Sequence, residues 1–223
     1  MSPIEEYFEW DVHHWSKAIP VWEKVLEGKA YNAALELGSR SGGLSLWLAE
    51  RYNVKVICSD IQSPEMAAKE RYKGHTLKGQ ITFDSLDILK IAYPSNSFDI
   101  VVFKSVLGAL GSFSNQQLAM QEIYRILKPG GVLLFAENLK SSRLHAFARK
   151  IFVPWGARWC YLNVNEINAL TFPFVEKEIQ TAGFISILLP NKIKNMGYIF
   201  DDWLDRNNYF SRLKYICFGY AIK

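Results

Sequence analysis

Three carboxylates, Glu36, Asp60 and Asp87, each stand at or just beyond the end of a short apolar run. A glycine-bearing turn, Gly38-Ser39-Arg40-Ser41-Gly42-Gly43, follows the first of them. Gly38 and Gly42 let the backbone turn tightly and approach a ligand closely. A helix starting there offers unpaired N–H groups and a positive dipole end. Alone the turn says little, because many strand-to-helix connections use glycine for shape. The carboxylates add to it. Glu36 ends a buried stretch, where its charge requires a partner. Asp60 closes the next run, 24 residues after Glu36, where a carboxylate can accept both hydroxyls of a ribose, as in dinucleotide sites. Asp87 lies in Ser85-Leu86-Asp87-Ile88-Leu89, after a third run.

These groups meet only if the runs are neighbouring parallel strands. Residues 33–37, 54–58 and 81–83 read as the first three strands, 98–103 as the fourth and 132–136 as the fifth. Helical spacing falls between them. Val21, Trp22, Val25 and Leu26 share a face after Pro20, with Gly28 as the stop. Leu44, Leu46, Trp47 and Leu48 give a second helix. A third starts at Ser63-Pro64-Glu65, with Ser63 as cap. A fourth covers 115–128 and ends at Pro129-Gly130-Gly131. Residues 175–182 read as a further helix stopped by Gly183, and 185–189 and 215–220 as late strands. Strands alternating with helices imply a mainly parallel sheet covered on both faces, with ligands at its carboxyl edge. Residues 138–165 and 191–213 fall outside the alternation and read as insertions. They are expected over the side of the site that takes a second ligand.

The strings Phe98-Asp99-Ile100-Val101-Val102 and Leu127-Lys128-Pro129-Gly130-Gly131, in this order after the turn, resemble the class I S-adenosylmethionine-dependent methyltransferases of the small-molecule type. The resemblance covers residues 30–140 well and the chain after Asn165 more loosely. It implies a Rossmann-like, doubly wound α/β fold: a mostly parallel seven-stranded sheet with a terminal antiparallel strand. It implies S-adenosyl-L-methionine as cofactor and roles for matching positions. The turn from Gly38 to Gly42 would hold the methionine part, with Glu36 organising the turn or meeting the amino group. Asp60 would bind the ribose, Ile61 would pack on the adenine, and Asp87 would accept from the adenine amino group with Ile88 beside it. Lys104 and Ser105 would line the methionine and methyl side.

The chain departs from that pattern twice. The usual middle glycine of the turn is Arg40, which either places a cation near the cofactor carboxylate or points to solvent. The histidine that many relatives carry after the fourth strand is replaced by Val106-Leu107-Gly108-Ala109-Leu110. A general base must then come from elsewhere, if the acceptor must lose a proton at all. His75 reads as a surface residue. His14, beside Trp15 in a segment that relatives often fold over the cofactor, and His145, in the first insertion, are the catalytic candidates; each has a bland reading as a packed or surface histidine. Glu137, at the end of the fifth strand, could also act, or make a structural hydrogen bond. Residues 139–162 are rich in basic and aromatic side chains. They read as a cover that touches an anionic or ring-shaped acceptor through Trp155, Arg158 and Trp159, as a face that meets a membrane, or as aromatic packing; the first is favoured.

The rest of the chain fits one domain, residues 1–223, with 1–29 as a helical cover. At 223 residues, 49% apolar and 22% charged, it can bury a large core. A net charge of +4 spread along the chain is no basic stripe, so no nucleic acid partner is expected. Cys58, Cys160 and Cys217 form no CxxC pair; they read as reduced thiols of a cytoplasmic protein, and no metal is expected. Residues 1–6 lack the regions of a signal peptide. The reading is methyl transfer to a small-molecule acceptor, on an oxygen of a sugar, lipid-linked glycan or quinone-like ring. A nicotinamide-dependent oxidoreductase is the rival enzyme, weakened because Arg40 stands where its second glycine should be. A non-catalytic module that binds S-adenosylmethionine is the rival of another class.

Overall fold

A computed structural model describes residues 3–143, 145–147, 159–207 and 209–223. Short helices α1 (Pro3–Tyr7) and α2 (Val12–Trp15) and the longer α3 (Ala18–Leu26) precede the sheet. Then come β1 (Ala33–Leu37), α4 (Gly43–Arg51), β2 (Lys55–Asp60), α5 (Glu65–Arg71), β3 (Gln80–Ser85), β4 (Phe98–Lys104), α6 (Phe113–Ile126) and β5 (Leu127–Asn138). The chain closes with α7 (Val164–Leu170), β6 (Glu176–Ala182), α8 (Lys194–Arg206) and β7 (Ile216–Ile222). The seven strands form one sheet in the order β3-β2-β1-β4-β5-β7-β6. The β1–β5 pairings are parallel, and β7 runs antiparallel to both of its neighbours. The expected fold is therefore present, with the antiparallel strand last in sequence but second from the edge in space.

Successive side chains of a strand point to opposite faces, and here both faces are covered. Ala34 of β1 and Val132, Leu134 and Ala136 of β5 pack with Trp15, Trp22 and Trp47. Leu35 and Leu37, with Leu133 and Phe135, pack with Ile123 and Ile126 of α6 and Ile167 of α7. Burial on both faces is why the central strands read as unbroken apolar runs.

The last third differs from expectation. Residues 176–182 form strand β6 rather than a helix, and 185–189 hold a 3-10 turn, Ser186–Leu188, rather than a strand. The sequence Glu-Lys-Glu-Ile-Gln-Thr-Ala has no apolar run because β6 is the sheet's edge and stays partly exposed. Its conformation comes from pairing with β7 over seven positions, Glu176 opposite Ile222 through Ala182 opposite Ile216. The crossover helix before it is α7, which starts inside the stretch expected to be an insertion. Its Asn163 cap accepts from the Glu166 N–H at 3.0 Å, and the Glu166 carboxylate accepts from the Asn163 N–H at 2.7 Å.

Gly219, in the middle of β7, accepts a hydrogen bond from the Trp22 indole at 2.9 Å. A Cβ there would overlap the carbonyl oxygen of Glu178 on β6. Gly219→Ala is expected to lower unfolding free energy by about 1–3 kcal/mol through strand displacement. Urea unfolding checks this, and an unchanged midpoint would show that β6 can move aside freely.

Candidate active site

Glu36 is 3% exposed at the carboxyl end of β1. Its carboxylate accepts from the Ser45 N–H at 2.8 Å, the Ser45 hydroxyl at 2.5 Å and the Leu44 N–H at 3.3 Å. It thus takes up N–H groups that the first turn of α4 would otherwise leave without partners. Burial pushes its pKa up to about 7, against the pull of those hydrogen bonds and of Lys104. Of its two expected roles, the geometry gives Glu36 the organising of the turn. Gly42, the cap of α4 at φ 73°, also faces inward, where a Cβ would strike the Tyr72 hydroxyl.

The turn between them opens onto a cleft of about 780 Å³. Gly38 lines it at φ 63°, with Val106 close enough that a Cβ would come within 2.5 Å of a Val106 methyl. Arg40 adopts φ 53°, doing in strained form what glycine does freely. Its guanidinium, 71% exposed, pairs with Glu9 at 3.2 Å. Glu9 also accepts from Ser41 and meets Arg71 at 3.2 Å, which ties the segment between α1 and α2 across the turn.

Sheet order becomes cleft order. Leu86, Asp87 and Ile88 follow β3, Asp60 and Ile61 end β2, Gly38 and Arg40 follow β1, and Lys104, Ser105 and Val106 follow β4. β1 and β4 are the strands between which the chain order reverses, where open α/β sheets bind ligands. Asp60 accepts from the Arg40 N–H at 2.8 Å and the Ile61 N–H at 2.7 Å, so it also braces the turn. Asp87 is exposed and uses one oxygen for the Leu89 N–H at 2.9 Å. Lys104 lies with Nζ 5.3 Å from the Trp10 ring and 5.5 Å from the Trp15 ring, in cation–π range. Burial pushes its pKa down to about 8, with Glu9, Glu36 and Glu137 opposing. Ser105, at φ 60°, accepts from the Asn138 amide at 2.6 Å.

Of the expected residues, Gly38, Arg40, Asp60, Ile61, Asp87, Ile88, Lys104, Ser105 and Trp159 line this one cleft, and Glu36 and Gly42 lie behind it. Trp155 and Arg158 fall outside the described residues. Neither catalytic histidine reaches the cleft. His14 is fully buried: Nδ1 is held by Asp11 at 3.0 Å and the Tyr215 hydroxyl at 2.7 Å, and Nε2 lies 3.4 Å from Asp201. Burial alone would lower its pKa, but the bonds to Asp11 and Asp201 outweigh it and raise it. His145 is buried too, with Nδ1 on Ser142 at 2.7 Å and Nε2 on the Phe184 carbonyl at 2.6 Å. Glu137 is fully buried and accepts from the N–H groups of Val106, Leu107 and Asn138 at 2.7–2.9 Å. It supports the 3-10 turn Leu107–Leu110 as Glu36 supports α4. Sequence reasoning did not find Trp10, Leu37, Leu86, Val106, Ala109 and Leu110 on the wall. Five of them adjoin or follow strand ends already marked; Trp10 comes from a distant segment.

A doubly wound sheet with a glycine turn, carboxylates at or just past the strand ends and a cleft at the order reversal is a Rossmann-like α/β architecture. The comparisons agree. Residues 35–135 match the family profile described as a methyltransferase domain. The chain is 30% identical over 112 residues to the ubiquinone/menaquinone biosynthesis C-methyltransferase UbiE of Hydrogenovibrio crunogenus, over 49% of this chain and 43% of that protein. Its fold is similar to phosphoethanolamine N-methyltransferase 2 of Haemonchus contortus, solved with S-adenosyl-L-methionine: TM-score 0.66, 17% identity, 99% of this chain and 56% of that one. It is similar over 100% of its length, and 96% of the other's, to the N-methyltransferase NodS of Bradyrhizobium japonicum, with TM-score 0.60 and 17% identity. Over residues 35–135 the sequence is thus similar to a methyltransferase domain, and the whole chain shares its Rossmann-like fold with solved methyltransferases. It spans about half or less of the curated relatives it matches.

Glu36→Gln tests the buried carboxylate. Folding raises the Glu36 pKa from 4.5 to about 7. The folded state therefore keeps a proton that the unfolded chain has lost, and stability falls as pH rises through that window. Glutamine carries no such proton. The variant should lose about 1–2 kcal/mol near the acid end through poorer support of α4. The gap to wild type should narrow toward neutral pH. A gap independent of pH, measured by urea unfolding across the window, would show that Glu36 does not titrate there.

Proposed function

We propose that the protein transfers the methyl group of S-adenosyl-L-methionine to an acidic ring hydroxyl of a small molecule. The charge order along the cleft supports this: carboxylates at the β2 and β3 end, a half-buried cation facing two aromatic rings at the β4 end.

The residues present fit the cofactor. Asp60 retains lone pairs for a ribose diol beyond those used by the turn. Asp87 suits an exocyclic amino group, and Ile61, Leu86 and Ile88 supply an apolar slot for a purine. The left-handed turn at Gly38 and Arg40 supports an amino-acid tail near the start of α4. When bound, the cofactor supplies a methyl group already activated on sulfonium sulfur. What remains for the protein is to align the acceptor and exclude water, and alignment alone can contribute roughly 7–11 kcal/mol.

The acceptor reading rests on Lys104. Among the described residues, Asp60 and Asp87 are the only carboxylates lining the cleft, and both belong to the opposite end. The segment 139–162, which brings Trp159 to the wall, contains five Lys or Arg and no Asp or Glu. A cation in a partly dry pocket stabilises an ionised oxygen and repels an ammonium. The ionised form of a phenol- or enol-type hydroxyl, its proton released to solvent, is thereby favoured as the nucleophile without a histidine base. Trp10 and Trp159 offer faces for its ring. The quinone C-methyltransferases among the relatives fit a ring-shaped acceptor in general.

Two measurements test the reading. Asp60→Ala should weaken S-adenosylmethionine binding in calorimetry by about 1–3 kcal/mol, while Asp60→Asn, which keeps an acceptor for the Arg40 N–H, should weaken it less. Equal affinity in wild type and both variants would remove Asp60 from the ribose. Lys104→Met should leave cofactor affinity within a few-fold and reduce turnover of phenolic acceptors by about 10²-fold or more. It should hurt least with the most acidic phenols. Preferred turnover of amines by the wild type would contradict the hydroxyl assignment while leaving methyl transfer intact.

A further inference from the structure

Helix α8 reverses the usual arrangement of a surface helix: its acids point inward and an apolar stripe points out. Asp201, Asp202 and Asp205 are the only acidic residues in 191–213. Asp201 is fully buried and accepts from the N–H groups of Ile185 and Ser186 at 2.8 and 3.1 Å. Asp202 and Asp205 hold Lys17 at 2.6 and 2.7 Å, and Asp205 also holds Lys214 at 2.5 Å. All three carboxylates are thus committed to the body of the protein.

The opposite side carries Met196, Ile199, Phe200 and Trp203, between 47% and 71% exposed. Their spacing of i, i+3, i+4 and i+7 keeps them within roughly 100° of arc. Ring contacts extend the stripe past the helix, from Phe200 to Trp203 at 6.1 Å, then to Tyr209 at 5.5 Å and Phe210 at 6.4 Å. Phe210 is 59% exposed although its φ is 57°, a conformation that costs an aromatic residue energy. In water this arrangement gains no burial in return. Lys192, Arg206 and Arg212 are exposed on the same connection.

We propose that this face docks on an anionic lipid bilayer, with α8 lying in the headgroup plane. The charge pattern selects that occupant. An apolar stripe flanked by lysine and arginine, with every nearby acid turned away, matches a surface of anionic headgroups over acyl chains. A second copy of the chain would bring the same cations against one another. Docking of α8 also bears on the cleft, because Asp202 and Tyr198 hold His13 (2.9 Å to Nε2, and a ring stack at 4.2 Å), in the segment that begins with cleft residue Trp10.

The test is flotation of the full chain with vesicles of phosphatidylcholine alone and of phosphatidylcholine mixed with phosphatidylglycerol, and it needs no knowledge of the reaction. Wild type should float with the mixed vesicles and much less with the neutral ones. Phe200→Ser combined with Trp203→Ser should reduce flotation by about 10-fold or more, since two inserted side chains are lost. Phe172→Ser removes an 82% exposed aromatic that precedes the start of β6 and should change nothing, because α8 bonds to Gly183 and Ile185 beyond the far end of that strand. Thermal melts of the double variant confirm that it folds; should it not, replacing Lys192, Arg206 and Arg212 by Gln must produce the loss instead. Equal flotation of wild type and these variants would overturn the proposal. So would a lipid-free dimer, seen by light scattering, that the double variant dissolves.

Discussion

Glu36 places a carboxylate at the end of a central strand where almost no water reaches it. A buried polar group of that kind must find donors, and the nearest are the first N–H groups of α4. Satisfying it fixes where α4 starts and how it meets β1. With both ends of the turn set, Gly38 and Gly42 must take left-handed conformations, and so must Arg40. The Arg40 N–H then faces Asp60, which locks the ends of β1 and β2 to each other. Glu137 repeats the arrangement at β5, where it holds the start of the turn that follows β4. Two buried carboxylates therefore frame the cleft from behind, and neither is spent on its wall.

That framing explains the electrostatics of the cleft. Lys104 is pulled from water by burial yet sits within the field of Glu9, Glu36 and Glu137. The segment from Glu9 to Trp10 supplies its aromatic partner and is itself fixed by Arg40, Arg71 and Ser41. Arg40 stands between its two expected roles. It lines the cleft, but its charge is turned to Glu9 and largely to solvent. These ion pairs are partly exposed, so each is weak and sensitive to salt. Together they define how the N-terminal segment closes the top of the site.

What could be read from the chain follows what each signal encodes. The central strands are buried on both faces, so 33–37, 98–103 and 132–136 announce themselves as apolar runs. Lys104 ends one of these strands, Asp60 ends β2 and Asp87 follows β3, and the parallel order brings all three to one edge. Strand β6 could not be read that way. Its conformation is imposed by β7, whose Ile216–Ile222 lies 40 positions or so further along the chain. The histidines misled for a related reason. His14 is held by the Tyr215 hydroxyl and lies within ion-pair distance of Asp201, residues with no local trace in the segment Trp10–Trp15. Trp10 was invisible as a cleft residue because only tertiary packing against Lys104 puts it there.

We propose that one cleft along the carboxyl edge, framed by Glu36 and Glu137, holds S-adenosylmethionine from β3 across to β4. Hydrogen–deuterium exchange with and without S-adenosylhomocysteine tests it most directly, because it reports position without requiring an acceptor. Slowed exchange is expected in four separate segments, 38–42, 60–61, 86–90 and 104–110, with α8 and β6 unchanged. Binding without protection in these segments, or protection centred elsewhere, would contradict it.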